Sequence, residues 1–231
     1  MKTIGLLGGM SWESTAIYYR LLNEIVRQNL GGLHSANLLL WSFDFAEIAS
    51  RQHEGDWDGA GRMLIDAAKR LEAGGAEGLV ICTNTMHKLA DTVQAAIAIP
   101  LIHIADATGE AVKRAGVCRP ALLATRFTME QDFYKGRLVE RYGLQPVVPG
   151  EAGRDMVHRI IYDELCQGLV TDASKAAYIA EVGRMSLNEN IDAVIMGCTE
   201  ITMLIGQADF DIPVFDTTRL HAEAAVKFAL G

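Results

Sequence analysis

The chain has 231 residues, of which 50% are hydrophobic and 22% charged, as is typical of a globular protein with a sizeable core. Its net charge of −8, without a lysine or arginine run, argues against binding to nucleic acid or to an anionic membrane. No apolar stretch approaches the length of a membrane span, and Met1–Ile4 does not begin a signal peptide. The four cysteines show no CxxC spacing or clustering with histidine, so we expect no metal site and a reduced, cytoplasmic protein.

Short apolar runs alternate with helical patterns along the first half of the chain. The predicted strands are residues 3–8, 36–41 and 78–81, and a fourth that opens at Pro100. The predicted helices run from a Ser11 cap to about Asn29, from 58 to 73 and from 84 to about 96, with a loop and a short helix at 42–53. Gly8-Gly9 follows the first strand, Gly31-Gly32 ends the first helix and Gly74-Gly75 ends the helix at 58–73, which supports these boundaries.

The second half repeats this alternation. Its predicted strands are residues 121–124, 144–148, 193–196 and 214–215, and its predicted helices are 105–115, 129–142, 155–166, 173–188 and 217–230. Strands that alternate with helices indicate an α/β protein with parallel sheets. In open sheets of this kind, functional sites lie beyond the carboxyl ends of the strands.

Motifs of the first half recur in the second half in the same order. The apolar run that ends in Cys82-Thr83 is matched by the one that ends in Cys198-Thr199, and Gly8-Gly9 is matched by Ala124-Thr125. This internal similarity predicts two pseudo-symmetric lobes, each a mostly parallel four-stranded sheet flanked by helices, with the active site between them. We place the first lobe at residues 1–104 plus 217–231 and the second at 105–216.

Cys198 is the first candidate for a catalytic residue. Gly197 ends a buried strand, and Thr199-Glu200 reads as the first turn of a helix. A thiol at this place meets backbone N–H groups and the positive end of the helix dipole, so we expect a lowered pKa and a reactive thiolate. The alternative is a buried structural cysteine.

Polar residues after other strands form candidate ligand contacts. Thr83-Asn84-Thr85 and Thr125 to Thr128 place hydroxyl, amide and N–H groups at helix N-termini, which suits a carboxylate, although such residues also cap helices. The Gly9-Met10 turn is a further candidate cradle. Arg51 could reach a second carboxylate, with a surface arginine as the alternative. His87 and His103 are candidates for lining the same region.

These motifs resemble the aspartate/glutamate racemase family, most specifically at Gly197–Glu200, Thr83–His87 and Gly8–Ser11. The resemblance implies two pseudo-symmetric α/β lobes, a homodimer and a small amino-acid substrate, with no cofactor. It also implies one catalytic cysteine from each lobe. One thiolate removes the substrate α-proton, and the opposite thiol returns a proton to the other face of the carbanion.

The sequence departs from the family pattern at the first cysteine. Where the family motif reads Cys-Asn-Thr-x-His, this chain has Thr83 in the cysteine position, and Cys82 stands one residue earlier. Neighbouring side chains at a strand end point to opposite faces, so Cys82 is expected to point away from the site. A threonine hydroxyl is no general base near neutral pH, but it can donate or relay a proton.

We therefore predict a racemase of L-aspartate or L-glutamate with Cys198 as the base and Thr83 on the far face. The predicted substrate-binding residues are Gly9, Met10, Arg51, Asn84, Thr85, Thr125, Thr128, Thr199 and Glu200, with Glu200 behind the thiol. Two alternatives remain at this stage. One is a single-cysteine decarboxylase or isomerase of the same fold, and the other is a catalytically silent amino-acid-binding protein.

Overall fold

The computed structural model describes all 231 residues, and these divide into two compact units. Unit 1 comprises Met1–Ile104 and His221–Gly231, and unit 2 comprises Ala105–Leu220. Residues 217–220, which the sequence pattern led us to expect in the first lobe, group with unit 2.

Unit 1 contains a four-stranded parallel sheet. Its strands are β1 (Ile4–Gly8), β2 (Leu38–Ser42), β3 (Gly78–Ile81) and β4 (Leu101–Ile102), in the order β2-β1-β3-β4. Its helices are α1 (Trp12–Leu30), α2 (Phe45–Glu54), α3 (Trp57–Ala73) and α4 (Ala90–Gln94), and a 3₁₀ helix, Thr85–Leu89, precedes α4. Every strand pair is parallel, as the alternation of strands and helices predicts.

Unit 2 contains a three-stranded parallel sheet. The helices of this part of the chain begin with α5 (Ile104–Arg114), and the strands are β5 (Pro120–Leu123), β6 (Ala193–Met196) and β7 (Val214–Asp216), in the order β5-β6-β7. The remaining helices of this unit are α6 (Arg126–Glu130), α7 (Asp132–Tyr142), α8 (Glu151–Asp163) and α9 (Asp172–Glu189), with 3₁₀ helices at Leu165–Gln167, Thr199–Met203 and Gln207–Asp209. The last helix, α10 (Thr217–Leu230), begins in unit 2, but its residues from His221 onward belong to unit 1. The predicted helix 129–142 is divided at Gln131, whose backbone is extended.

The prediction of a fourth strand in the second sheet is wrong. Residues 144–148 form only one parallel bridge, between Val147 and Ala121. Their backbone does follow β5, because Leu122 N–H donates to Val147 O at 2.8 Å and Val147 N–H donates to Pro120 O at 2.9 Å. The ladder stops on both sides of Val147 because the next bonds would need N–H groups from Pro120, on β5, and from Pro149, and a proline has none to donate.

Two buried clusters cover the faces of the unit 1 sheet. Leu7, Leu79 and Ile81 face the cluster that includes residues of α3, whereas Leu6, Val80 and Cys82 face the one that includes residues of α1 and α10. Successive strand residues point to opposite faces, and the chain keeps this alternation for one residue beyond β3. The Cys82 side chain is consequently in the core. None of the helices is both long and apolar enough to cross a membrane.

Candidate functional site

Cys198 lies just beyond the carboxyl end of β6, in the sheet of unit 2. Gly197 follows the strand, and its N–H donates to Leu123 O at 2.8 Å. A Cβ at this position would lie 2.8 Å from the Leu122 side chain and 3.0 Å from Ala124 Cβ, so the backbone approaches β5 too closely for a larger residue. Cys198 then takes an extended conformation, and the 3₁₀ helix begins at the next residue.

The thiol of Cys198 is hydrogen-bonded to a buried carboxylate. Cys198 Sγ donates to Glu200 Oε2 at 2.9 Å, and Thr199 Oγ1 donates to the same oxygen at 2.5 Å. The three residues are 8%, 2% and 3% exposed, in the order Cys198, Thr199 and Glu200. Because this buried carboxylate oxygen accepts two hydrogen bonds from protein groups where bulk water does not compete, its position is well fixed.

The prediction that the helix N-terminus lowers the pKa of Cys198 is wrong. Burial raises the pKa of this thiol well above its usual range, and the neighbouring Glu200 carboxylate raises it further. A hydrogen bond from the Glu200 N–H, in the first turn of the 3₁₀ helix that follows, lowers the pKa, but its effect is smaller than those of burial and of the carboxylate. The Cys198 thiol is therefore protonated at neutral pH, and its proton forms the hydrogen bond to Glu200.

Two tyrosines lie near the thiol, Tyr178 buried and Tyr162 half-buried. The pKa of Tyr162 and that of Tyr178 are both raised, first by burial and then by the proximity of Cys198. The Tyr178 hydroxyl donates to Val157 O at 3.2 Å, which joins α9 to α8. These phenols stay protonated near neutral pH. Neither residue carries a sequence motif, and their position depends on how α8 and α9 pack.

The Thr125 segment differs from the carboxylate cradle that the sequence predicts. The N–H of Arg126, the first residue of α6, donates to His158 Nδ1 at 3.2 Å, so this N–H already has an acceptor. The Thr125 and Thr128 hydroxyl oxygens lie 3.3 Å apart, and both residues are buried. The Arg126 side chain pairs with Asp155.

In unit 1, Thr83 occupies the position next to the core-facing Cys82. Burial raises the pKa of the Cys82 thiol far above its ordinary value, so this thiol is not a base. Thr83 is half-buried. Its N–H donates to Ile81 O at 2.8 Å, and its carbonyl accepts a hydrogen bond from His87 Nδ1 at 2.8 Å.

The residues after Thr83 are buried. Asn84 and Thr85 are 2% and 5% exposed, and the Asn84 side chain makes no capping hydrogen bond to the 3₁₀ helix that follows. The same segment contacts α2, because Gln52 Nε2 donates to Met86 Sδ at 3.0 Å. This contact fixes the 3₁₀ helix against its neighbour.

The Gly9-Met10 turn follows β1 and is closely packed. Gly9 has a φ of +80°, and a Cβ there would overlap the backbone of Phe43, so only glycine fits. Its N–H donates to Thr15 Oγ1 at 2.7 Å, and the Met10 side chain lies in the core. The Gly9 N–H and the Met10 side chain are therefore already in contact with other parts of the protein, and a ligand could contact only the other backbone atoms of these two residues.

Arg51 already binds a carboxylate, that of Asp56. Its Nη1 pairs with Asp56 Oδ2, and its Nε donates to Met63 Sδ at 3.2 Å. Asp56 also accepts the Gly59 N–H at 2.8 Å, and this bond, followed by the guanidinium, lowers the pKa of its carboxyl. A substrate carboxylate would have to displace Asp56 from Arg51.

Within unit 2, direct hydrogen bonds join Cys198, Thr199 and Glu200, whereas Thr125 and Thr128 bond to each other. Within unit 1, Thr83, Asn84 and Thr85 lie along one segment, Gly9 and Met10 form the turn after β1, and Arg51 is on α2. No group of three or more histidine, cysteine, aspartate or glutamate side chains is arranged to hold a metal ion.

Comparison with known proteins gives one family. A sequence model of the Asp/Glu/Hydantoin racemase family matches residues 7–225. A crystal structure described as a putative Asp/Glu racemase from Yersinia pestis is 49% identical, with a TM-score of 0.93 and 100% of both chains covered. An aspartate racemase homologue from Pyrococcus horikoshii OT3 is 35% identical, with a TM-score of 0.87 and again 100% of both chains covered. The broad specificity amino-acid racemase RacX of Bacillus subtilis (strain 168) is 20% identical over 96% of each sequence.

Proposed function

We propose that this chain, which belongs to the Asp/Glu/hydantoin racemase family and is a racemase, inverts L-aspartate or L-glutamate. We propose further that it does so without a cofactor. As a racemase it is an enzyme of the isomerase class. The names of the relatives support this choice, since one is an aspartate racemase homologue and another a broad specificity amino-acid racemase. Cytoplasmic location and a homodimer remain predictions from the sequence.

The observation that carries the proposal is the hydrogen bond from Cys198 Sγ to Glu200 Oε2. A thiol with a raised pKa becomes a base only if its proton has an acceptor, and Glu200 provides one inside the buried site. In the proposed first step, the thiol proton moves to Glu200 as the sulfur takes the α-proton of the substrate. The electron pair of the broken C–H bond stays on the α-carbon.

Thr83 is the proposed source of the proton on the opposite face. Its hydroxyl donates a proton to the carbanion, and the new C–H bond forms with inverted configuration. The threonine oxygen regains a proton from water, and the hydroxide that this leaves takes the proton from Glu200, which restores the thiol and the carboxylate. Cys198 serves the L-enantiomer in this scheme. Because Thr83 is no base near neutral pH, the D-enantiomer is deprotonated slowly. Equilibrium then requires weak binding of the D-enantiomer or slow turnover in both directions.

Polar groups on several segments are the proposed ligands of the substrate carboxylates. Asn84, Thr85, Thr125, Thr128 and Thr199, together with the Gly9-Met10 backbone, are proposed to hold the α-carboxylate and to stabilise the developing charge. Arg51 is proposed to bind the side-chain carboxylate. This role requires that Arg51 exchange the Asp56 carboxylate, which pairs with its Nη1, for that of the substrate.

Deuterium wash-in at the α-carbon in D₂O, followed by proton NMR over a panel of amino acids, tests this function. We expect exchange of L-aspartate or L-glutamate, with formation of the D-product, in protein treated with a metal chelator and a carbonyl reagent. Arylmalonates serve as the control for the alternative decarboxylase. Loss of activity after either treatment contradicts cofactor independence, and absence of exchange with every acidic amino acid contradicts the substrate class.

A further inference from the structure

A cluster of buried histidines lies next to the Thr83 segment in unit 1. His87, His103 and His221 are 2%, 7% and 0% exposed. The ring centroid of His87 is 4.6 Å from that of His103 and 5.4 Å from that of His221, and the Tyr18 ring meets His221 edge-on at 5.6 Å. The racemisation scheme above uses none of these rings.

Hydrogen bonds fix the protonation of His87. Its Nδ1 is 2.8 Å from Thr83 O, and a carbonyl can only accept, so Nδ1 carries a proton. Its Nε2 accepts the Ile104 N–H at 3.2 Å, and a backbone N–H can only donate, so Nε2 carries none. His87 is therefore a neutral imidazole in a single tautomer.

His221 is fixed in the same way with the opposite tautomer. Its Nε2 donates to Ile102 O at 2.7 Å, and its Nδ1 accepts the Tyr18 hydroxyl at 2.8 Å. Burial also lowers the pKa of His221 to about 4. The ring beside His87 is uncharged near neutral pH, so it does not compete electrostatically for the Thr83 carbonyl.

Of the two polar backbone groups of Thr83, the N–H and the carbonyl, only the carbonyl is hydrogen-bonded to a side chain. Its N–H is held locally by Ile81 O, but its carbonyl is held by the His87 imidazole. Asn84, at the N-cap of the following 3₁₀ helix, makes no side-chain capping bond. Rotation of the Thr83–Asn84 peptide is therefore restrained by His87, which is in turn held by Ile104.

We propose that His87 is a positioning residue that sets the orientation of Thr83 through this carbonyl, and that the other buried rings hold His87 in place. The inference rests on the proposed role of Thr83 as the proton donor on the far face. Exchange of the L-substrate α-proton needs only Cys198, whereas inversion also needs Thr83. Displacement of Thr83 therefore lowers the ratio of inversion to exchange instead of lowering both rates together.

Two amide variants of His87 separate this role from general stability. In His87→Asn, the side-chain N–H₂ group lies close to the place of Nδ1 and can still donate to Thr83 O. In His87→Gln, the amide reaches toward the place of Nε2, and the bond to Thr83 is lost. We expect His87→Gln to lower the inversion-to-exchange ratio for the L-substrate at least about tenfold, in line with the loss of a positioned acid. His87→Asn should keep the ratio within about threefold, as should the exposed control His34→Gln.

Equal ratios in the Asn and Gln variants, or equal losses of exchange and inversion in His87→Gln, would overturn the proposal. Nitrogen-15 NMR of the unmodified protein provides a test that does not depend on activity or on the folding of a variant. It should show His87 protonated at Nδ1 and unprotonated at Nε2 at pH 7, and protonation at Nε2 would refute the proposal. If the protein exchanges no amino acid but shows the expected tautomer, the proposed function fails while the His87–Thr83 bond stands.

Discussion

The ends of strands β3 and β6 have the same local plan but hold their key residues in different ways. Thr83 is the second residue after β3, and Cys198 is the second after β6, and a 3₁₀ helix follows each. At Thr83 a histidine holds the backbone carbonyl and leaves the hydroxyl for other contacts. At Cys198 a glutamate carboxylate accepts the hydrogen bond of Sγ, the atom proposed to act as the base. In the proposed mechanism, the first strand end positions a proton donor, and the second controls the charge of a base.

The largest difference between the two strand ends is expected on removal of the thiols. Cys198→Ala should lower α-proton exchange of the L-substrate by 10²–10⁴-fold or more, because it removes the only proposed base. Cys82→Ala is the matched control: it shortens a buried thiol that faces the core, so it should cost about 1 kcal/mol of stability and leave exchange nearly unchanged. Exchange rates and thermal unfolding of both variants check this. Residual exchange above about a tenth in Cys198→Ala, or loss of exchange in a folded Cys82→Ala, would reverse the assignment.

Thr83→Cys makes the two strand ends chemically alike. The variant should gain α-proton exchange from D-aspartate or D-glutamate, by at least about tenfold over the unmodified protein, because a thiol can act as a base where a hydroxyl cannot. Deuterium wash-in with the D-enantiomers measures the gain, and Thr83→Ser is the control that keeps a hydroxyl. The same gain in both variants would show that size, rather than a second thiol, limits the reaction.

Glu200→Gln removes the carboxylate that distinguishes the Cys198 side. Since Glu200 raises the pKa of the thiol, its neutralisation should lower that pKa and shift alkylation by iodoacetamide to lower pH. Turnover should nevertheless fall about tenfold or more, because the thiol proton loses its acceptor. Alkylation rates across pH, together with turnover, give the two readouts. An unchanged alkylation profile would show that burial alone sets the pKa of Cys198.

The histidines near Thr83 should make the free energy of unfolding depend on pH, and His221 provides the test. The pKa of His221 is 6.5 when unfolded and about 4 when folded, because burial disfavours the charged ring. The unfolded chain therefore binds more protons between these values, and this ring makes the free energy of unfolding fall by roughly 1.4 kcal/mol per unit as pH decreases from 6.5 to 4. His221→Gln should flatten this dependence in denaturant titrations, whereas His34→Gln should not. Parallel curves for the two variants would contradict the burial effect.

The apolar runs carried enough information for most of the fold. The strands Gly78–Ile81 and Ala193–Met196 agree with the prediction residue for residue, since short buried strands between glycine-rich turns have few alternatives. The prediction of a strand at 144–148 was wrong because Pro120 and Pro149 lack the N–H groups that would continue the ladder on either side of Val147, an effect that depends on which N–H groups lie between this segment and β5.

The site was predictable only in part. The place of Cys198 beyond a buried strand follows from the sequence, but its pKa depends on burial and on the Glu200 carboxylate two residues away. The pair of Arg51 with Asp56, and that of the Arg126 N–H with His158, arise from turns and helix packing that no periodicity reveals. Helix N-termini are attractive anion sites in a sequence, but neighbouring side chains can occupy them first.

The most direct test of a racemase with a single thiol is the initial rate of α-deuterium exchange for each enantiomer in the unmodified protein. Both enantiomers of the best acidic substrate are compared at saturation in D₂O. We expect exchange of the L-enantiomer to exceed that of the D-enantiomer at least about tenfold, because only Cys198 can act as a base. Equal initial rates would contradict the assignment, since they require a second base on the Thr83 side.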